Sequence, residues 1–170
     1  MSDNFSESNL KEQFKSNTKL RMTTYVVGGL ALITIAYFSY KQFIFNPSNE
    51  KSKGAYFEGL NYADKDSTDA AIDILTPVVK KYDGKVGGEV AQFTLARQLM
   101  AKGQFAKAFE NLEGVKLEDT YLSVMCIGLQ GDCKSEMKKY EEAAELYIKA
   151  ADKDENDFTT PSYLFKAAFC

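Results

Sequence analysis

The chain has 170 residues, of which 21 are Lys or Arg, 24 are Asp or Glu and none is His. This length fits one folded domain with a sizeable core, and the net charge of −3 supplies no basic surface for nucleic acid. The lack of His excludes Ser–His and Cys–His dyads and zinc sites built on histidine. We therefore predict that the protein is not an enzyme and uses no metal or cofactor.

An uncharged apolar segment, residues 22–40, follows a short polar head at residues 1–21. Its 19 residues nearly match the ~20 that a helix needs to cross the hydrocarbon core of a bilayer. The apolar character continues past Lys41, whose ammonium can reach the interface, so we predict a transmembrane helix over 22–45. Bulky aromatic residues end this segment, whereas a cleavable signal peptide would need small residues there.

Positive charge marks only one end of the predicted span. The basic residues just before it are Lys15, Lys19 and Arg21, whereas Lys41 to Asn49 hold a single Lys. The positive-inside rule then places the head, residues 1–21, in the cytoplasm and the C-terminal body outside it.

Three residues of the span, Thr24, Gly28 and Gly29, are candidates for contact with a neighbouring membrane helix. Small residues allow close helix approach, and hydroxyl groups can hydrogen-bond across the contact. The alternative, that the glycines are only tolerated in a membrane helix, stays open.

The body is predicted to be all-α. A break at Asn46-Pro47-Ser48-Asn49 predicts a linker at residues 46–50, before a helical domain at 51–170. Helices are predicted at 51–65, 68–82, 87–102, 105–114, 119–136, 139–152 and from 160 to the end. Pro77 should kink or end the second of these, and Gly84, Gly87 and Gly88 are interpreted as a turn.

Small residues recur at a fixed spacing along the body. Gly59, Ala96, Gly131 and Ala168 are spaced by 37, 35 and 37 residues. A second series, Ala71, Ala108 and Ala143, has the same spacing, and each member precedes a large apolar residue by four positions. Because small residues let paired helices approach, this pattern predicts an α-solenoid of helix–turn–helix repeats.

Residues 118–150 contain a motif that resembles the signature of a known protein family. Leu129-Gln130-Gly131-Asp132, followed by Ala143, Tyr147 and Ala150, resembles the signature of the tetratricopeptide (TPR)-like ancillary subunits of the SecYEG translocon. The layout of head, span and helical body is similar too. The resemblance implies a bacterial inner-membrane protein with a periplasmic TPR-like domain and no catalytic motif. The implied partners are a SecYEG-type channel, a membrane-anchored periplasmic chaperone and nascent secreted proteins.

Two other functions remain open at the level of sequence. One is an anchored TPR scaffold of another envelope system, such as cell division or surface motility. The other is an organellar import receptor whose TPR domain faces the cytosol, although the lysines of the head disfavour that topology.

In TPR arrays the first helix of each pair lines a concave face where peptides dock. Aligning the small residues places several aromatic, Met and Arg side chains towards that face, and such residues make adaptable recognition surfaces. The candidates are Tyr56, Leu60, Phe93, Arg97, Met100, Met125 and Asp132. The alternative is that Phe93 and Met125 simply pack between helices.

Two features near the C-terminal end complete the sequence-based picture. Cys126 and Cys133 lie on one predicted helix about 10.5 Å apart along its axis, too far for a disulfide, so we expect buried thiols. The final segment, from Pro161 to Cys170, has the pattern of a first repeat helix without its second helix. We therefore expect the natural chain to continue past Cys170.

Overall fold

A computed structural model describes residues 14–117 and 119–170. The chain divides into two compact units, Met1–Pro47 and Ser48–Cys170. The described residues form helices joined by short turns, with no strand among them. The predicted all-α fold class is therefore confirmed.

The first unit is built around helix α1, Thr18–Tyr40. The Asn17 side chain caps it, accepting hydrogen bonds of 3.1 Å from the backbone N–H groups of Lys19 and Leu20. None of the residues of α1 is buried against the described part of the chain. The helical stretch that contains α1 is long and apolar enough to cross a membrane, by length and composition.

The backbone stays helical where the sequence predicts a break, although the boundary between the two units, after Pro47, falls within the predicted linker at 46–50. A π-helical turn, Lys41–Phe45, follows α1 and leads directly into α2, Asn46–Ala55. Pro47 lies in the first turn of α2, where a missing N–H and the ring are tolerated best. The carbonyl that the proline ring would crowd belongs to Phe43, within the π turn, where the helix is wider.

The second unit contains the helical array. Its helices after α2 are α3 (Phe57–Asp64), α4 (Thr68–Lys81), α5 (Val86–Ala101), α6 (Phe105–Gly114), α7 (Thr120–Glu136), α8 (Tyr140–Lys153) and α9 (Thr159–Ala168). Each of these helices packs against the next along the chain, so that α3–α4, α5–α6 and α7–α8 form antiparallel pairs. The predicted helices agree within one or two residues, except that the first, 51–65, is divided by a turn at Tyr56.

Pro77 does not end its helix, which excludes one of the two predicted effects, a kink or an end. Helix α4 runs through it to Lys81. Proline removes the hydrogen bond to the carbonyl of Asp73, but Asp73 and Pro77 are both exposed. Water can therefore bond to the carbonyl that is left free.

The predicted alternation of small and large residues forms the contact within each helix pair. Gly59 faces Leu75, with only 2.5 Å between the side chain and the place where a Cβ would lie, and Gly131 faces Tyr147 at 2.6 Å. In the middle pair, Ala96 and Leu112 are both buried at the corresponding positions. The second small series is fully buried and comprises Ala71, Ala108 and Ala143. The repeat register taken from the sequence is confirmed.

The first turn of helix α5 donates hydrogen bonds to a segment far away in the sequence. Asn49 Oδ1 accepts from the backbone N–H of Val86, and Ser52 Oγ accepts from that of Gly87, both at 3.0 Å. These are N–H groups of the first turn, which lack partners inside a helix. The prediction of a turn is right for Gly84 but wrong for Gly87 and Gly88, which are buried residues of α5. Gly87 lies against the backbone of α2.

Candidate functional site

The candidate partner-binding residues on the first helices are mostly occupied by packing. Tyr56 and Leu60 are half-buried, and the Tyr56 ring stacks on Phe57 with 4.6 Å between centroids. Phe93 is only 7% exposed and belongs to the core. Met100 and Met125 are half-buried against that core.

Of the seven predicted residues only Arg97, on α5, is exposed, and Asp132 is half-buried. Phe93, in contrast, belongs to the core cluster, which agrees with the alternative that it packs between helices.

Asp132 joins three helices. Its Oδ1 accepts hydrogen bonds from the Tyr147 hydroxyl on α8 and from Lys166 Nζ on α9, both at 2.7 Å. Burial, together with the nearby Asp132 carboxylate, raises the pKa of Tyr147, so this hydroxyl stays a donor at neutral pH. The Lys166 ammonium also lies 5.4 Å from the centre of the Tyr147 ring. Asp132 thus orients packed helices, and only part of it can meet a partner.

A groove of about 630 Å³ lies between α4 and α6, and residues of α5 also line it. Two nearly buried leucines, Leu95 and Leu99, line its bottom. Exposed charged side chains surround them: Asp69, Asp73, Lys80, Lys102, Lys107 and Glu110. Among these, Lys102 and Asp69 form an ion pair across the end of the groove. Sequence reasoning missed this surface because it looked for partner contacts on the first helices, whereas both walls are second helices.

The candidate membrane contact on α1 has a simple local geometry. The Thr24 hydroxyl donates a hydrogen bond of 2.8 Å to the backbone carbonyl of Leu20, so this donor already has a partner within α1. Apart from the adjacent residues and the local backbone of α1, no described atom lies within 4 Å of the Cβ position of Gly28 or Gly29, so the helix surface is open there. A second helix could approach this surface closely.

The cysteines differ in accessibility. Cys126 and Cys133 are buried, as predicted, and Cys170 is exposed. Burial, with a smaller effect of Glu89, raises the pKa of the Cys126 thiol to about 11. Burial also raises the pKa of Cys133 to about 11, helped by Asp132 and Glu136. Both thiols are therefore protonated at neutral pH.

We expect a thiol-specific alkylating reagent to modify Cys170 first in the folded protein at neutral pH. The thiolate is the reactive form of cysteine. At Cys126 and Cys133 the raised pKa keeps the thiol protonated, and burial limits access of the reagent. Mass spectrometry of the labelled peptides checks this, with a urea-unfolded sample as the control in which all three react. Equal labelling of the three thiols without denaturant would contradict the burial of the α7 cysteines.

Comparison with known proteins identifies the class of domain. No curated protein sequence matches the chain significantly. The family model described as a tetratricopeptide repeat-like domain matches residues 11–125, a range that begins before α1 and ends within α7. This match covers more than half of the 170 residues. The chain belongs to the tetratricopeptide repeat-like domain family.

Proposed function

We propose that the protein is a membrane-anchored, non-enzymatic scaffold that serves as an accessory subunit of a bacterial protein-export channel of the SecYEG type. Helical repeat domains of this class typically bind other proteins rather than catalyse reactions. The observation that carries the proposal is the combination, in one chain, of a long apolar helix with no buried residue and a TPR-like array. Exposed apolar surface of this extent needs lipid or protein around it.

The proposed division of labour follows from the two units. Helix α1 holds the chain in the inner membrane and contacts a helix of the channel through Thr24, Gly28 and Gly29. The array, in the periplasm, binds a membrane-anchored chaperone or an emerging secreted protein. The groove between α4 and α6 supports this role because it combines an apolar bottom with charges of both signs, a composition suited to peptide side chains.

The choice of an export channel rests on the resemblance at Leu129 to Asp132 and at Tyr147. In the fold, Gly131 faces the Tyr147 ring and Asp132 accepts its hydroxyl proton, so this motif is a packing unit. This packing role of the motif supports the assignment to the TPR-like family. The export channel itself is tested by the two experiments that follow.

Orientation is the first such test. Lys15, Lys19 and Arg21 precede the apolar segment, so we expect protease added to the extracytoplasmic side of intact membranes to digest residues 48–170. An antibody to the N-terminal head should still detect a protected fragment. Loss of the head with protection of the array would instead fit a cytosolic TPR domain and would exclude the proposed periplasmic role.

The second test replaces the span. A poly-Leu/Ala helix in place of residues 22–40 should preserve insertion and orientation but reduce co-purification with the channel, because close helix contacts would be lost. A Thr24→Leu/Gly28→Leu/Gly29→Leu variant should have the same effect with fewer changes. Leu32→Ile, on the same helix, is the matched control and should leave co-purification unchanged. Parental co-purification of the replaced span would place the contact in the array, and an absence of channel subunits from the parental sample would refute the export role.

A further inference from the structure

The groove between α4 and α6 combines an apolar bottom with two unpaired carboxylates. Leu95 and Leu99 of α5 form the bottom. Asp73 on α4 and Glu110 on α6 line the two walls, and both are exposed. Neither carboxylate has a hydrogen bond or an ion pair within the described part of the chain. Both are therefore free to meet a cation that enters the groove.

The lysines that line the groove lie towards its ends. At one end Lys102 is paired with Asp69, and Lys107 donates a hydrogen bond of 3.1 Å to the Gln104 side chain. Lys80 lies near the other end, in the last turn of α4. The two unpaired carboxylates lie one helical turn further along their own helices than the first end. The middle of the groove therefore carries negative charge above an apolar surface, which suits a cation on an apolar stem.

The next repeat contains such a cation in the corresponding place. At the 35-residue spacing, Lys134 of α7 takes the place of Leu99 of α5. The Lys134 side chain is 13% exposed, and its ammonium lies 4.0 Å from the centre of the Phe109 ring on α6 and 2.6 Å from a carboxylate oxygen of Glu142 on α8. Phe109 corresponds to Ile72, an apolar residue of the α4 wall. Between α6 and α8 the chain thus supplies its own lysine, whereas Leu99 leaves the groove between α4 and α6 open to a cation from a partner.

The dimensions of the groove fit an extended peptide. Leu95 and Leu99 are about 6 Å apart along the axis of α5. Alternate side chains on one face of an extended chain are about 6.6 Å apart, so two of them match the two leucines. The α4 wall from Asp69 to Lys80 is about 16 Å long, which is the length of about five extended residues.

We propose that the groove between α4 and α6 binds an extended segment of a partner protein in which one lysine or arginine lies between two apolar residues. The two apolar side chains lie on Leu95 and Leu99. The cation lies between Asp73 and Glu110. The inference rests on the proposed role of the array in binding other proteins, and it names the sequence chemistry that the array selects.

A synthetic peptide provides the test. The probe is fluorescently labelled Gly-Ser-Leu-Lys-Leu-Ser-Gly, and two matched controls replace either the lysine with glutamate or both leucines with serine. Fluorescence anisotropy is measured at low ionic strength with the full chain in nanodiscs of uncharged net lipid, and empty nanodiscs are the blank. We expect saturable binding of the probe and at least about tenfold weaker binding of either control, because each lacks one of the two contacts.

Two double variants of the protein locate the contact. Asp73→Asn/Glu110→Gln should weaken probe binding by about fivefold to tenfold and remove the preference for lysine over glutamate. Asp64→Asn/Glu58→Gln makes the same chemical changes at exposed positions of α3 outside the groove and should leave the affinity unchanged. Circular dichroism verifies that both variants keep their helix content.

Several results would overturn the proposal. These are equal binding of the lysine and glutamate peptides, equal affinities of the two double variants, and crosslinks from a photoreactive leucine of the probe to helices other than α4, α5 and α6. Sedimentation that shows a dimer of the unliganded chain, dissociated by the groove variant, would also overturn it, because a second copy would then fill the groove. Co-purification with the channel tests the export role separately, since peptide binding in nanodiscs requires no channel.

Discussion

Replacing Gly87 with alanine is expected to lower the free energy of unfolding of the repeat array by about 3 kcal/mol. A methyl group at this position would overlap the backbone carbonyl of Ser52, which cannot rotate away as a side chain can. Separating the two backbones would also break the hydrogen bond from Gly87 to Ser52. In a helix without such a neighbour, the same change would be favourable by up to about 1 kcal/mol.

The matched control for this prediction is Gly54→Ala in α2. Apart from the adjacent residues and the local backbone of α2, no described atom lies within 4 Å of the Cβ position of Gly54, so a methyl group there meets no obstacle. Urea unfolding of both variants in detergent, followed by circular dichroism, gives the comparison. If the two substitutions had the same effect, the close approach of α2 to the start of α5 would be refuted.

Truncation of Leu112 to alanine is expected to cost about 2–5 kcal/mol of stability. Leu112 is 1% exposed and lies in the core at the position where the α5–α6 pair brings a large residue against Ala96. The shortened side chain would leave a cavity between two helices whose spacing is fixed by further contacts along their length.

An exposed leucine provides the comparison for that loss. Leu164→Ala removes the same atoms from α9, where the side chain is 47% exposed, and should change stability by no more than about 0.5 kcal/mol. Thermal or urea unfolding of the two variants under identical conditions measures the difference. Similar losses at both positions would contradict the assignment of Leu112 to the core.

The repeat fold could be predicted because it depends on a pattern of residue sizes. Gly131 and Tyr147 are sixteen residues apart, and a matching small and large residue recur in the two preceding pairs. Such a pattern is visible in the sequence because each pair is built from neighbouring helices. Helix limits followed for the same reason, since short connections with Gly or Asp separate the apolar periods.

The wrong predictions concern residues whose role depends on neighbours that the sequence pattern does not reveal. Asn49 and Ser52 accept hydrogen bonds from N–H groups that lie 37 and 35 residues further along the chain, and no local sequence pattern indicates such contacts. Pro47 follows a π turn, and Pro77 is on the solvent side, so neither ends a helix. Sequence rules for proline assume a regular helix and take no account of which side is hydrated.

The candidate site was harder to predict than the fold. The side chain of Phe93 suits both a binding surface and a core, and only the packing of α5 shows that it is buried. The groove between α4 and α6 depends on the distance between two helices that are not adjacent in the chain. Residue type alone does not determine such a distance.

The hydrogen bonds that the start of α5 donates to α2 bear on where the repeat domain can be cut. A fragment designed from the repeats alone would start at Phe57 and would remove both Asn49 and Ser52. The start of α5 would then lose two acceptors, and its buried Gly87 would face solvent. A fragment that keeps both acceptors, such as the unit Ser48–Cys170, begins upstream of the first repeat, so the segment that looks like a tether in the sequence also supports the start of α5.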